Sequence, residues 1–521
     1  MVLGLSIAAA VTMVARAQAP VFDLIVTNGR VIDGTGAASR IADVAIRDGK
    51  IVQIGRVPMS QAREHIDAAG LVVAPGFVDV HTHADDIASH PLAENFVQMG
   101  VTTIVAGNCG GSALDVGAEL DEIRGRGVSI NFATLIGHNT VRAAVMGNAD
   151  RPPTLPELAS MKSLVFKAMA EGAVGFSTGL QYIPGTYAKV NEIAELMRVS
   201  SNEGGIYATH MRNEGTALEE SIRESIHIAE LTNARLEISH LKVDSPSRWG
   251  ASGAALNLIE DARRRGLAVQ ADQYAYTAGS SSLSIRFPSW ALEGTRADVA
   301  TRLNDPATWA KIKTEMQALL AERGFPDLAW ASIASYRADP SLNGLTMKAV
   351  AEKLKGGGTP DAQLEAAREI QLNGGASMVY HFMSDADVAT IMRSPFVAIA
   401  SDASINTLGE GVPHPRGYGD NARVLGKYVR DDKVITLEDA IRKMTSLPAK
   451  HFGFADRGVI KVGAAADLVI FDAATVAEQA TYAAPHAYPT GIADVIVNGV
   501  VTVRAGKHTG AKAGQVVTLK K

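Results

Sequence analysis

The chain has 521 residues, 47% of them hydrophobic and 20% charged, with 49 glycines. That length suits one large domain with a smaller companion, or two to three ordinary domains, and the composition excludes a disordered or short peptide module. A net charge of −5, with no Lys/Arg cluster interleaved with aromatic residues, argues against nucleic acid as a partner.

Residues 1–19 read as a cleaved export signal, apolar from Val2 to Val14 and then carrying small residues at Ala15, Ala17 and Ala19. This predicts a periplasmic or secreted protein. The stretch lacks a basic start, so a buried N-terminal segment of a cytoplasmic protein is the alternative. No later apolar run reaches the roughly 18 to 20 residues that cross a bilayer, so no membrane span is expected in the mature chain. Cys109 is the only cysteine, which excludes an internal disulfide.

From Asp23 to Ala74, short β-branched runs are broken by hairpin signals at Asn28-Gly29 and Asp48-Gly49. The far end repeats the style in "AADLVIFD" and "IADVIVNGVVTVRAGKHTG". Residues 20–75 and 456–521 are therefore expected to form one composite small β domain, a β-sandwich divided in sequence by everything between.

The middle alternates short apolar runs with segments of helical period. The runs are FVDVHTH (77–83), VTTIVAG (101–107), SINFATLIG (129–137), AVGFSTG (173–179), GIYATHM (205–211), RLEISHL (235–241), LAVQADQ (267–273) and FVAIASD (396–402). Eight strands separated by helices predict an α/β fold, a (β/α)8 TIM-like barrel over residues 76–455. The interval from about 283 to 375, with Trp290, Trp309 and Trp330, is too long for one connection and reads as an insertion over the barrel mouth.

The first run ends in two histidines. Side chains alternate along a strand, so residues 77, 79, 81 and 83 are expected on one face, with Val78, Val80 and Thr82 towards the helices. His81 and His83 then point to the barrel axis at the end where such barrels hold their active sites. His210 ends the fifth run, His240 the sixth and Asp402 the eighth, while Cys109 follows the second. Four imidazoles, a thiol and a carboxylate converging on one rim suit Zn²⁺ better than Mg²⁺ or Ca²⁺. Each has a plainer reading when taken alone: a satisfied histidine, a packed cysteine, an aspartate capping a helix.

The motifs "GFVDVHTHAD", "GVTTIVAGNCGGS", "GAVGFSTGLQYIPG", "ATHMRNEG", "ISHLKV", "DQYAYTAGSSSL", "ASDAS", "HPRGYGDNARVLGKYVR" and "GVIKVGAAADLVIFD" run from Gly76 to Asp472. In this set and order the chain resembles the N-acyl-D-amino-acid deacylases (D-aminoacylases) of the metal-dependent amidohydrolase superfamily. The resemblance implies zinc-dependent hydrolysis of the amide of an N-acyl-D-amino acid, giving a D-amino acid and a carboxylate. It implies one tightly bound zinc ion held by Cys109, His210 and His240, and a weaker second position lined by His81, His83 and Asp402. Asp402 is implied as the catalytic base and acid, with Lys242, Tyr274 and Ser280 holding the substrate α-carboxylate. Those three also have plain readings, as a surface charge, a barrel wall and a turn residue. Arg212 and Arg416 are further candidates that equally suit bracing loops through ion pairs. Two positions depart from the family pattern: Leu241, where His-His-Lys is frequent, and Ala275, where proline is frequent. Other readings are a dipeptidase or cyclic-amide hydrolase of the same superfamily, and a non-catalytic barrel acting as a binding protein. Oligomeric state is not encoded in any of these features.

Overall fold

The computed structural model describes residues 21–519, so the export-signal segment 1–19 lies outside the described residues. All eight expected runs form strands: β1 (Phe77–Asp79, resuming at Thr82–His83), β2 (Val101–Ala106), β3 (Asn131–Thr134, resuming at Ile136–Gly137), β4 (Gly175–Gly179), β5 (Ile206–His210), β6 (Leu236–Ile238), β7 (Val269–Gln273) and β8 (Val397–Ile399, resuming at Ala403–Ser404). Every neighbouring pair is parallel, β1 with β2 and onward to β7 with β8. The ring closes where Thr82 and His83 of β1 pair with Ala403 and Ser404 of β8. Parallel strands need long crossovers, and helices supply them, as at Leu218–Thr232 between β5 and β6 and Ser252–Arg264 between β6 and β7.

The strands bury both faces, and their apolar residues divide between two cores. Phe77, Ile104, Phe132, Phe176, Tyr207, Leu236 and Ile399 pack with the helices. Val78, Val80, Val105, Ala133, Ala208 and Ala400 form a separate inner cluster with Phe452 and Phe454. This corrects the expected face of β1: Val78 and Val80 lie in the inner cluster and Phe77 in the outer one. The regular strand stops at Val80 and His81, and this break reverses the alternation. His81 therefore reaches the site because of an irregularity that a strict period of two does not encode.

The two chain ends pair with each other. Residues 72–75 run antiparallel to Leu468–Phe471, which joins the N-terminal and C-terminal strands into one nine-stranded sheet that branches at Phe22–Val31. The last segment leaves this sheet and returns to the barrel. Phe132 N–H donates to Gln515 O, Val517 N–H donates to Phe132 O, and Val517 and Leu519 pack on the inner cluster. Residues 511–519 are thus part of the barrel floor rather than of the 456–521 β unit.

The excursion between β7 and β8 is wider than the interval 283–375. Its antiparallel sheet starts at Ala278–Ser282 and ends at Ser377–His381, with Ala331–Ser335 on the far edge. It carries its own apolar core around Leu283, Trp309, Met316, Leu328 and Tyr380. Among the described residues no helix is long and apolar enough to cross a membrane.

Candidate metal centre

The six expected donors stand on one rim. His81 and His83 lie where β1 resumes, His210 ends β5, and Cys109, His240 and Asp402 lie just past β2, β6 and the first part of β8. β6 stops at Ile238, so Lys242 lies past the end of the strand. Cys109, His240 and Asp402 all have left-handed backbone, with φ of 53°, 36° and 52°. Such conformations cost on the order of 1–3 kcal/mol each in a non-glycine residue and persist only where the surroundings impose them. Here Asp402 N–H donates to His81 O at 2.9 Å and His240 N–H to Asp272 Oδ1 at 2.7 Å. The loop carrying Cys109 is held by backbone contact: a Cβ on Gly179 would stand 2.0 Å from Cys109 O. Gly179→Ala is expected to push the Cys109 loop off its position, lowering stability by about 1–3 kcal/mol as overpacking does and lowering metal content with it. Thermal melts paired with metal analysis check this.

Cys109 Sγ sits among three imidazoles, 3.4 Å from His81 Nε2, 3.5 Å from His240 Nε2 and 3.7 Å from His210 Nδ1. Asp402 Oδ1 lies 3.1 Å from His83 Nε2 and 3.6 Å from His81 Nε2. The groups His81–Cys109–His240 and His81–His83–Asp402 each offer donors close enough to share one metal ion. Tetrahedral zinc with about 2.3 Å to sulfur and about 2.1 Å to nitrogen places those donors about 3.6 Å apart, which the sulfur–nitrogen spacings match. The donor set therefore fits zinc in both chemistry and spacing. Burial pushes the Cys109 thiol up, but His81 and hydrogen bonds from His210, His240 and His81 outweigh it and hold the thiol well below its usual range.

A second ring of side chains orients these donors, and most of it escaped the sequence reading. Glu214 is buried with Oε1 2.9 Å from His240 Nδ1 and Oε2 3.6 Å from His210 Nε2. It follows His210 by four residues inside "HMRNEG", the one signal that pointed to it. A carboxylate outside an imidazole is the usual second partner of a metal-binding histidine. Gln181 Oε1 accepts from His210 Nε2 at 2.9 Å, and the Tyr182 ring lies 4.5 Å from the His210 ring. Arg416 Nη1 stands 2.7 Å from Asp402 Oδ2. Burial pushes Asp402 up, but Arg416, His81 and His83 prevail and hold its carboxyl well below the usual range. Arg212, by contrast, braces a loop through Glu224, Thr186 O and Ala188 O.

Lys242, Tyr274 and Ser280 all border one small cavity of about 40 Å³ with His83, His210, His240 and Asp402. Lys242 Nζ is occupied, 2.8 Å from both Glu214 oxygens and 2.8 Å from His240 Nδ1. The Tyr274 hydroxyl is buried without a hydrogen-bond partner, a state that a bound ligand relieves. Ser280 comes from the inserted sheet and is half-buried. Arg286, also inserted, lines the same cavity at 8% exposure, stacked 4.6 Å from the Tyr380 ring and 5.2 Å from Trp330. Its Nε has no hydrogen-bond partner; Tyr380 and Asp244 are its electronegative neighbours, and Asp244 is itself ion-paired with Arg323. A larger cavity of about 650 Å³ opens beside Asp402 and Ser280, and one of about 450 Å³ beyond Tyr182 and Ile285.

A closed eightfold barrel with donors at its strand ends, capped by a split β unit, defines a metallo-hydrolase architecture. The chain belongs to the amidohydrolase family, whose model matches residues 64–503; residues 5–77 also match the N-terminal domain of the urease α-subunit. It is 35% identical to a D-aminoacylase of Alcaligenes xylosoxydans xylosoxydans, over 95% of this chain and 97% of that protein. It is also 35% identical to an N-acyl-D-glutamate deacylase of the same organism, over 92% and 93%. Among solved structures, a D-aminoacylase described as defining a novel subset of amidohydrolases superposes with a TM-score of 0.83 at 34% identity, covering 95% of this chain and all of that one. The N-acyl-D-glutamate deacylase of Bordetella bronchiseptica, complexed with zinc and a phosphonate mimic of the tetrahedral intermediate, gives 0.81 at 33%, covering 95% and 99%.

Proposed function

We propose that this protein is a zinc-dependent N-acyl-D-amino-acid deacylase that hydrolyses the amide to release a D-amino acid and a carboxylate. The observation that carries the reading is Cys109 Sγ set 3.4 to 3.7 Å from three imidazole nitrogens, with Asp402 beside them. In this reading Cys109, His210 and His240 hold the tight zinc, with His81 close enough to share it, and His81, His83 and Asp402 line the weaker position. A bound zinc ion supplies Lewis-acid polarisation of the acyl carbonyl and makes water acidic enough to attack at neutral pH. Asp402, kept ionised by Arg416 and the histidines, takes the proton of the attacking water and passes it to the leaving nitrogen. Tyr274 and Ser280 donate to the substrate α-carboxylate, with Lys242 adding charge through its place beside Tyr274, 5.7 Å from the ring. The apolar segment at residues 2–14 followed by small residues supports export.

Arg286 supports a more specific substrate. A desolvated guanidinium in the wall of the cavity, whose carboxylate neighbour Asp244 is already bound by Arg323, is costly until a further anion meets it. A second carboxylate on the substrate does so, which favours an acidic D-amino acid.

The test is amine release from matched N-acetyl-D and N-acetyl-L amino acids, using enzyme stripped of metal and then given zinc. Cleavage is expected only with zinc and only in the D series, with N-acetyl-D-glutamate or N-acetyl-D-aspartate foremost. Cleavage of the L series or of dipeptides would keep the barrel and overturn the deacylase. With Arg286→Leu, kcat/KM for the acidic substrates is expected to fall about 10²-fold, the scale of losing one partner of a buried charge pair. That for N-acetyl-D-leucine should change less than about threefold. An equal fall for both would place Arg286 on the α-carboxylate that the two substrates share.

A further inference from the structure

Of the motif "HPRGYGDNARVLGKYVR" the site described above uses only Arg416. The helix Arg416–Arg423 starts behind Pro415, whose side chain cannot accept any of the free N–H groups of a first turn. His414 supplies an acceptor: Arg416 N–H donates to its Nδ1 at 3.0 Å. The other ring nitrogen is engaged as well, with Nε2–H donating to the backbone oxygen of Ala278 at 2.8 Å. That oxygen is not claimed across the inserted sheet, because its paired residue, His381, gives its own N–H to Trp330 O. A backbone N–H on Nδ1 and a carbonyl on Nε2 leave one tautomer, the neutral ring with its proton on Nε2. The ring is 4% exposed and stands nearly at right angles to Tyr276 and Tyr482, 5.2 Å from each.

The two bonds lead to different parts of the site. Arg416 Nη1 is 2.7 Å from Asp402 Oδ2, and its guanidinium lies 4.6 Å from the Tyr274 ring. Ala278 opens the strand Ala278–Ser282, which carries Ser280. The inserted sheet pairs with no barrel strand, so its seat on the mouth depends on side chains that cross between the two. We propose that His414 is a positioning residue that couples the two halves of the site: Nδ1 fixes the helix start that aims Arg416 at Asp402, and Nε2–H ties down the strand that carries Ser280. The proposal rests on the hydrolase reading for its kinetic effects, but not for the two hydrogen bonds.

The two bonds can be removed one at a time. Asparagine accepts from an N–H two residues on, as in an Asx-turn, but is too short to reach Ala278. Glutamine reaches Ala278 O with an N–H donor and forgoes the short turn to Arg416. In the zinc-loaded full-length enzyme, His414→Asn should raise KM about 5- to 10-fold with kcat within about threefold of native. His414→Gln should lower kcat about tenfold with KM within about threefold, each the scale of one buried hydrogen bond. A residue that only fills space would move both constants together, so an unsplit loss, or none in either variant, overturns the proposal. Adding His414→Gln to Arg416→Ala should leave kcat within about twofold of Arg416→Ala alone. A fully additive loss would show that His414 does not act through Arg416. Amide hydrogen exchange reads the bonds without turnover. The Arg416 amide should exchange slowly in the native chain and in His414→Asn, and at least about tenfold faster in His414→Gln. Rapid exchange of that amide in the native chain overturns the proposal even if neither variant folds. A native enzyme that cleaves no N-acyl-D-amino acid would sink the function, while the exchange rates still report on His414.

Discussion

Asp402→Asn is expected to lower kcat of the zinc-loaded enzyme by about 10³- to 10⁴-fold, the upper range for losing a general base that also serves as the acid, while fold and bound zinc persist. Asparagine is the informative replacement for a structural reason. Residue 402 has a φ of 52°, a left-handed conformation that Asn tolerates nearly as well as Asp. Its amide oxygen can still face Arg416, so the buried guanidinium is not left bare. What the substitution removes is the ability to accept and return a proton. Asp402→Ala removes the partner of Arg416 as well, and should lower the melting temperature in addition to turnover. Single-turnover kinetics, zinc content and thermal melts on the two variants separate the chemical loss from the structural one. Unchanged kcat in Asp402→Asn would transfer the base to another group.

The candidate donors are legible because each lies at or just past the end of a strand of recognisable length, and the ends of parallel barrel strands meet at one rim whatever the intervening helices do. The geometry by which they meet is not. A period of two carries His81 to the barrel rim, but the strand abandons that period at Val80, and Val78 and Val80 fill the barrel instead of facing the helices. β6 stops at Ile238 and a left-handed His240 turns the chain, so Lys242 meets Glu214 and His240. Glu214 and Gln181 sit in loops, where no periodicity says which way a side chain points. Arg286 belongs to an insertion whose docking on the mouth depends on contacts between distant residues, such as its stacking on Trp330 and Tyr380. The floor formed by residues 511–519 is of the same kind, since its link to β3 through Phe132 spans most of the chain.

Cys109→Ser should abolish stoichiometric zinc binding, weakening affinity by at least about 10²-fold, more than loss of an outer partner costs, and kcat should fall with it. The hydroxyl occupies nearly the same space, so packing is spared and the difference is one of charge. The three imidazoles around Sγ and the depressed thiol pKa describe a site built for an anion. A serine hydroxyl stays neutral there and is a poor soft donor. Cys109→Asp supplies the contrast, because a carboxylate is anionic and aspartate accepts the φ of 53° at this position. It should retain part of the zinc affinity that serine loses. Cobalt substitution adds a readout independent of turnover: the native protein should show a sulfur-to-cobalt charge-transfer band, and both variants should lack it. If serine kept full zinc affinity, Cys109 would be a packing residue and the metal would rest on the histidines and Asp402 alone. The order native, aspartate, serine would instead assign the thiolate as the anion around which His81, His210 and His240 are arranged.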